Sequence, residues 1–288
     1  MTYLGRVMIV GMIIDGKTIA REIETQLTNA CAAFSVKPIL AIVVVGDDSV
    51  IESFVRIKKK VGRRIGISVV EHRFSKDVQG EELIRAVSLL GADPAVRGMI
   101  IQLPLPETLD VQAVLNAVPP AKDVDVLASD SVAAFRRGAA QVLPPVSGAI
   151  QEILERARID VSEKEALVLG YGRLVGVPAA LLLRHNHAHV TVIDKPIANL
   201  AEHVRESDII ISGVGSPGLI TPDMLRKGAV LIDAGTAEAG ERILGDADPR
   251  CADIASVFTP VPGGVGPITV VMLFKNLLIL TRAQHAHV

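Results

Sequence analysis

Apolar runs that end at a turn residue and lead into an amphipathic stretch recur along this chain, a pattern of alternating strands and helices. In the N-terminal half, Ile39 to Val45 reads as a buried strand ending at Gly46, with further strands over Val69 to Phe74 and Met99 to Gln102. Helical spacing covers 16–32, 50–65, 80–91 and 108–117. A stretch rich in Ala, Pro, Val and Gly, from about Arg137 to Gly148, reads as a linker. A second series then begins, with strands expected over Ala166 to Leu169, Val190 to Asp194, Asp208 to Ser212, Ala229 to Asp233 and Val257 to Thr259. Strands this uniformly apolar are those of parallel sheets covered on both faces. The pattern therefore predicts an α/β protein with an N-terminal α/β domain followed by a Rossmann-like parallel-sheet domain over 147–268. The run Val7 to Ile14, interrupted by Gly11, is too short to span a bilayer and lacks a cleavage signal. It reads as a leader or a first strand, with Met12 as an alternative start.

Composition narrows the class. The 288 residues suffice for two domains, and 49% apolar content supports large cores. Aromatic residues are 3% with no Trp, so Ile, Val, Leu and Ala must fill those cores. A net charge of −2 gives no electrostatic case for nucleic acid, and base-stacking platforms are missing. Cys31 and Cys251 lie far apart without CxxC spacing, which disfavours a disulfide framework and a thiolate metal site. A reducing cytoplasm, with no membrane partner, is the expectation.

Two segments specify backbone rather than side chain. Ala166–Leu169 leads into Gly170-Tyr-Gly-Arg-Leu-Val-Gly176 and then a helix with Pro178 near its first turn. Strand, glycine turn and helix are the context of a dinucleotide site: glycines let the backbone approach a pyrophosphate, and the helix start offers free N–H groups. The spacing is GxGxxxG, and the strands that follow strengthen the reading. Asp194 ends the next strand, where a carboxylate accepts from adenosine ribose hydroxyls and repels a 2′-phosphate; the plain alternative is a strand-ending turn residue. The second segment is Thr259-Pro-Val-Pro-Gly-Gly-Val-Gly-Pro-Ile-Thr269, with three prolines and three glycines in eleven residues, placed before a closing apolar helix. Pro fixes φ and removes a donor while Gly admits close approach, so main chain is expected to face a ligand here.

Other candidates are weighed against plainer roles. Phe54 and Lys58 are four apart on one helix face, but the pair precedes the nucleotide fold and Phe54 has no phenol, which disfavours a short-chain dehydrogenase. Arg56, Lys58, Lys59, Lys60, Arg63 and Arg64 read mainly as a solvated basic face. His185, His187 and His189 alternate without an acidic partner nearby in sequence, so no metal site is expected. His285 and His287 belong to a C-terminal tail expected to fray. Asp233 and Asp246 are assigned turn roles first and site roles second.

The segments TPVPGGVGPIT, GMIIQLPLP (98–106), AKDVD (121–125), VGSPGLIT (214–221) and GDDSVIESFVRIKKKVGRRIGI (46–67) together resemble the bifunctional methylenetetrahydrofolate dehydrogenase/cyclohydrolase family. The resemblance runs from about Ile14 to Leu280. It implies a homodimer and a last helix that rejoins the N-terminal part, giving a folate-binding domain of 1–146 and 269–288. It also implies that folate and nicotinamide meet in a cleft between the domains. The implied reaction moves a hydride from the methylene bridge of 5,10-methylenetetrahydrofolate to the nicotinamide, followed in many members by hydrolysis of the methenyl cation to 10-formyltetrahydrofolate. Lys58 matches the assisting lysine, Gln102 the glutamine that tunes it, and Asp125 the aspartate that bonds the pterin. Phe54, Pro262, Gly263 and Gly264 fall at substrate positions. Gly170, Tyr171, Gly172, Arg173, Val175, Gly176, Asp194, Lys195, Gly213, Gly215 and Thr236 fall at cofactor positions.

Departures from the family pattern set the finer expectations. Phe54 stands where the family has tyrosine, Ile51 where it has serine, and Val126-Leu-Ala-Ser129 where it has Gly-Phe-His-Pro. Leu143-Pro-Pro-Val-Ser-Gly148 replaces Pro-Cys-Thr-Pro-x-Gly. Phe54 can stack on a planar ring but cannot relay a proton, so dehydrogenase activity is expected with cyclohydrolase activity weak or absent. The alternatives are a full bifunctional enzyme and a silent or altered-substrate paralogue acting as a binding or regulatory subunit. Gly170-Tyr171-Gly172 and Asp194-Lys195-Pro196 replace segments that carry arginines in the family, so NAD is expected over NADP, with Arg173 or Lys195 able to compensate.

Overall fold

The seven-residue apolar run Ile39–Val45 forms the middle strand of a three-stranded parallel sheet, and Leu40 to Val44 are fully buried there. A computed structural model of the chain describes residues 11–240 and 242–286. The first part of the run beginning at Val7, and His287, lie outside the described residues. In chain order the first half comprises β1 (Met12–Ile13), α1 (Gly16–Ala32), β2 (Ile39–Val45), α2 (Ser49–Ile65) and β3 (Ser68–Phe74). It continues with α3 (Gly80–Ala92), β4 (Val96–Ile101), α4 (Val111–Asn116) and α5 (Ser129–Arg136). The second half holds α6 (Pro145–Ala157), β5 (Glu165–Leu169), α7 (Gly176–His185), β6 (His189–Ile193), α8 (Leu200–Glu206) and β7 (Ile209–Ser212). It ends with β8 (Val230–Asp233), β9 (Ala237–Ala239), β10 (Arg242–Leu244), β11 (Val257–Phe258) and α9 (Val265–Ala286).

The chain forms two compact units, one of residues 18–148 with the C-terminal segment from 269, the other of 149–268 with the described residues 11–17. In the first unit the strand order is β3-β2-β4, all parallel. Helix α2 is bounded by its own sequence. Asp48 caps its start, accepting from the N–H groups of Val50 at 2.8 Å and Ile51 at 3.1 Å, and Gly66 ends it in the left-handed region at φ 86°. Its buried stripe is Ile51, Val55, Lys58, Val61, Gly62 and Ile65, the helical spacing of a core face interrupted by one amine. Helix α9 rejoins this unit as the resemblance implied. Its 265–284 stretch has mean hydropathy 1.5, apolar enough for a membrane span by composition, yet 61% of that apolar stretch is buried inside the protein. Phe274 is fully buried, which contributes about 1.5–3 kcal/mol. Asn276, also buried, donates to the carbonyls of Val124 and Leu143, both at 2.8 Å.

The second unit carries a six-stranded sheet in the order β1-β11-β8-β7-β5-β6, parallel throughout. Strand β5 is followed by β6 on one side and β7 on the other, so the order reverses at β5, the place where open α/β sheets bind ligands beyond their carboxyl ends. Residues 11–17 were assigned from sequence to the N-terminal domain. They cluster with this unit instead, because β1 pairs in register with β11, Met12 beside Val257 and Ile13 beside Phe258. The stretch 137–148 is not wholly linker, since α6 starts at Pro145, where a missing N–H costs nothing at a first helical position.

Candidate functional site

In the first unit the structure brings Lys58, Gln102 and Asp125 together, with Phe54 beside them. Lys58 lies on the buried stripe of α2 and is 9% exposed, while Gln102, one residue past β4, is 7% exposed. The Lys58 ammonium donates to Gln102 Oε1 at 2.8 Å, and Gln102 Nε2 donates to the Leu103 carbonyl at 2.9 Å. With its donors committed to Leu103, the amide must turn its oxygen to the lysine. Burial lowers the Lys58 pKa below the ordinary lysine value, opposed by the charge of Asp125. The Phe54 ring, 44% exposed, has its centroid 5.9 Å from the Lys58 nitrogen, at the edge of cation–π range. Other basic residues of α2 behave differently: Lys59 pairs with Glu71 at 2.6 Å, and Arg64 pairs with Glu24 at 2.6 Å. The basic face expected for α2 is therefore real except at Lys58. Ile51, named among the altered folate-side groups, lies on the buried stripe at 4% exposure, so its substitution acts through packing.

Asp125 sits in a turn held from two sides. Buried Asp123 accepts the N–H groups of Leu127 and Ala128, both at 2.9 Å, and Asn276 holds the Val124 carbonyl. The turn needs Val126 at φ 58°, the left-handed region that a β-branched residue rarely occupies. Asp125 keeps some accessible surface but is enclosed deeply enough that desolvation raises its carboxyl to about 7, with Lys58 pulling it down and Asp123 pushing it up. A buried amine of lowered basicity, an oriented amide and a carboxylate together make a site for handling protons next to a polar heterocycle. Asp123 and Asn276 had no signal in the sequence, because each acts through backbone contacts; Val126 had one, since it stands where the family has glycine, the residue that a φ of 58° favours.

In the second unit Gly170 has φ 82°, and its N–H donates to the Ile193 carbonyl at 2.8 Å. A side chain on Gly176 would overlap the Gly170 carbonyl, so the start of α7 is pressed against the turn. Val175 gives α7 no side-chain cap, which leaves the helix start for a ligand. Asp194 follows β6 as expected and accepts the Tyr171 N–H through Oδ1 at 2.8 Å, joining the carboxylate to the glycine turn. Tyr171, Gly172, Arg173, Asp194, Lys195, Gly215 and Thr236 are exposed, while Val175 and Gly213 are half-buried. A side chain on Gly170 would meet the Gly213 carbonyl, which puts the loops after β5 and β7 side by side at the switch point. This backbone cradle, bordered by a carboxylate, fits a dinucleotide.

The Pro-Gly segment also belongs to this unit up to residue 268. Thr259 Oγ1 accepts the Asp233 N–H at 2.7 Å and donates to the Asp233 carbonyl at 3.1 Å. Val261–Pro262 is cis, Gly263 has φ 112°, and Gly264 N–H donates to the Pro260 carbonyl at 2.8 Å. Gly16, unremarked in the sequence, packs on this loop, because a Cβ there would collide with the Gly264 carbonyl. Asp233 and Asp246 prove to be buried hubs of loop hydrogen bonds rather than simple turn residues. His189 has an acidic partner after all, Glu163 at 3.4 Å. Among the described residues no group of three or more His, Cys, Asp or Glu side chains could hold a metal ion.

Residues 14–125 match the tetrahydrofolate dehydrogenase/cyclohydrolase catalytic domain, and 144–285 match the NAD(P)-binding domain of the same family. Bifunctional protein FolD 2 of Ectopseudomonas mendocina is 37% identical over 95% of this chain and 93% of its own length. The chloroplastic FolD 4 of Arabidopsis thaliana is 39% identical over 96% of this chain and 80% of its own. Among solved structures, the FolD dehydrogenase/cyclohydrolase of Trypanosoma brucei, complexed with NADP and an inhibitor, is 32% identical with a TM-score of 0.91, covering 96% of this chain and 98% of that one. The Trypanosoma brucei protein is named for both activities and the curated relatives are named bifunctional, so the expectation of a weak or absent hydrolysis step finds no support in them, and the full bifunctional alternative fits them better. Sequence and fold agree that the chain belongs to the tetrahydrofolate dehydrogenase/cyclohydrolase family, an α/β enzyme family that works on tetrahydrofolate with NAD(P).

Proposed function

We propose that this protein oxidises 5,10-methylenetetrahydrofolate to the 5,10-methenyl cation and then hydrolyses that cation to 10-formyltetrahydrofolate. The observation that carries the reading is the buried Lys58–Gln102 hydrogen bond at 2.8 Å. A silent copy would have no use for a desolvated amine held in this way. When bound, the nicotinamide accepts the hydride, taking two electrons and a proton from the methylene carbon. The chain's own residues do the rest. Phe54 offers a ring face to the pterin or its aryl group, and Asp125 accepts from the amino-pyrimidine edge, which presents donors. Lys58, lowered in basicity by burial, handles the proton of the water that adds to the methenyl carbon, and Gln102 keeps the amine in place. Gly170 to Gly176, Gly213, Gly215, Thr236 and the backbone at Pro262–Gly264 hold the cofactor and the reacting end of the substrate.

NAD is the preferred dinucleotide, supported by Asp194 beside the glycine turn, whose charge opposes a 2′-phosphate. The working form is a homodimer. A second reading, dehydrogenation with slow hydrolysis, is favoured by one observation: the ring that α2 places 5.9 Å from the Lys58 nitrogen carries no hydroxyl.

Purified protein is assayed for nicotinamide reduction with methylenetetrahydrofolate and, separately, for loss of methenyltetrahydrofolate. Both rates should exceed the buffer background, hydrolysis should collapse in Lys58→Ala, and kcat/KM should be higher with NAD than with NADP. Reduction without hydrolysis selects the second reading, and no reduction with either dinucleotide overturns the proposal.

A further inference from the structure

Beyond the β7 end of the sheet, one buried carboxylate gathers a whole loop. Asp246 is fully buried, and its Oδ2 accepts the Ser212 hydroxyl at 2.6 Å and the Val214 N–H at 2.8 Å. Its Oδ1 accepts the Ser216 N–H at 2.6 Å. Three donors, one from the last residue of β7 and two from the loop that follows it, thus end on two oxygens of one side chain. The loop contains Gly213 and Gly215, and it borders the glycine turn after β5.

Asp246 is itself fixed. Its carbonyl accepts the Ile220 N–H at 3.1 Å, and its carboxylate lies against Gly235, where any Cβ would overlap it. Asp233 extends the network by accepting the N–H groups of Gly235 at 2.9 Å and Ala247 at 2.8 Å, and Thr259 joins it at the head of the Pro-Gly loop. Loops after β7, β8 and β11 are in this way tied by hydrogen bonds that centre on the buried side chains of Asp246, Asp233 and Thr259. Buried, fully satisfied networks of this kind specify one arrangement and are costly to leave incomplete.

We infer that Asp246 is a positioning residue for dinucleotide binding, acting through the Gly213–Ser216 loop, which it holds in the shape that meets the cofactor. The inference rests on the reading of this unit as the dinucleotide-binding half. The chemistry requires a carboxylate and not an amide. In Asp246→Asn one oxygen becomes an NH₂ donor, which must face the N–H of either Ser216 or Val214, so at least one donor is repelled and the loop released.

The test compares wild type, Asp246→Asn and Ser212→Ala, measuring steady-state kcat and both KM values, NAD and NADP binding by titration calorimetry, and Tm. Asp246→Asn should raise the dinucleotide KM and Kd by about tenfold or more, equivalent to about 1.4 kcal/mol, while the KM for methylenetetrahydrofolate stays within about twofold. Ser212→Ala, which deletes one donor and leaves the carboxylate, should show the same signature at about threefold. A merely structural defect would lower Tm and the active fraction, hence kcat, without raising the dinucleotide KM selectively. Unchanged dinucleotide KM in Asp246→Asn overturns the inference; should that variant not fold, unchanged KM in Ser212→Ala does so. Wild-type protein that binds neither dinucleotide overturns the inference together with the reading beneath it.

Discussion

Lys58 gives its hydrogen bond to an amide oxygen that has no freedom to turn away, since Gln102 spends its own N–H on the Leu103 carbonyl. A neutral acceptor steadies the amine without the full charge that would restore its basicity. Gln102→Glu puts a carboxylate at 2.8 Å and reverses that balance, raising the Lys58 pKa and favouring the charged amine. The Lys58-dependent limb of the hydrolysis pH–rate profile should move up by a unit or more, with about a tenfold loss of rate on that limb at fixed pH. An unmoved limb would separate Gln102 from the proton chemistry.

Val126 pays for its place with an unfavourable backbone and recovers it through burial. At φ 58° an L side chain costs about 1–2 kcal/mol, while burying a valine returns about 1.5–3 kcal/mol. Val126→Gly loses the burial and relieves the strain, so it should be close to neutral. Val126→Ala loses most of the burial and keeps the strain. Urea denaturation should therefore rank Gly above Ala by about 1 kcal/mol, reversing the order normal for a buried site.

Much of this architecture is written in the hydrophobic pattern. The β2 run and the α1 stretch 16–32 are found at the boundaries read from the chain, because an unbroken apolar strand and a capped amphipathic helix each declare themselves locally. Lys58 was legible only through the family resemblance: by charge alone it reads with the solvated basic face of α2, and the structure places it instead on the buried stripe with Ile51, Val55, Val61 and Ile65. Asp123, Asp246 and Asn276 were not legible, since each bonds backbone groups that are distant in sequence or hidden by a turn. The run Val7 to Ile14 was read as a leader or a first strand, but the pairing of β1 with β11, more than two hundred residues away, was not legible.

Phe54 is 44% exposed, so a hydroxyl on its ring meets no packing penalty. Phe54→Tyr supplies a group able to bond the attacking water or pass on its proton. On the bifunctional reading hydrolysis of methenyltetrahydrofolate should stay within about twofold, as should hydride transfer, and Tm should not move; a severalfold rise in hydrolysis selects the slow-hydrolysis reading. The comparison distinguishes the two readings of the activity, because an already efficient hydrolase would gain nothing.

Asp125 makes a prediction about pH whose sign follows from its surroundings. Burial, then the neighbouring Asp123, lift its carboxyl from 3.8 to about 7, against the pull of Lys58. The folded protein therefore holds this proton more tightly than the unfolded chain does. The group's contribution to stability is complete below about pH 4 and disappears as pH rises through 7. Asp125→Asn has no proton to lose, so wild type should lose stability relative to this variant between pH 5 and pH 8. The relative change should be at least ~1 kcal/mol in urea denaturation, well short of the full linkage value because the carboxylate retains some solvent contact. Function should run the other way: the ionised carboxylate accepts from a pterin edge, so the wild-type KM for methylenetetrahydrofolate should fall as pH rises through 7, and this dependence should vanish in Asp125→Asn. A parallel stability profile for the two proteins, with a pH-independent KM in wild type, would mean that Asp125 is ionised across the range and that its enclosure does not lift its carboxyl.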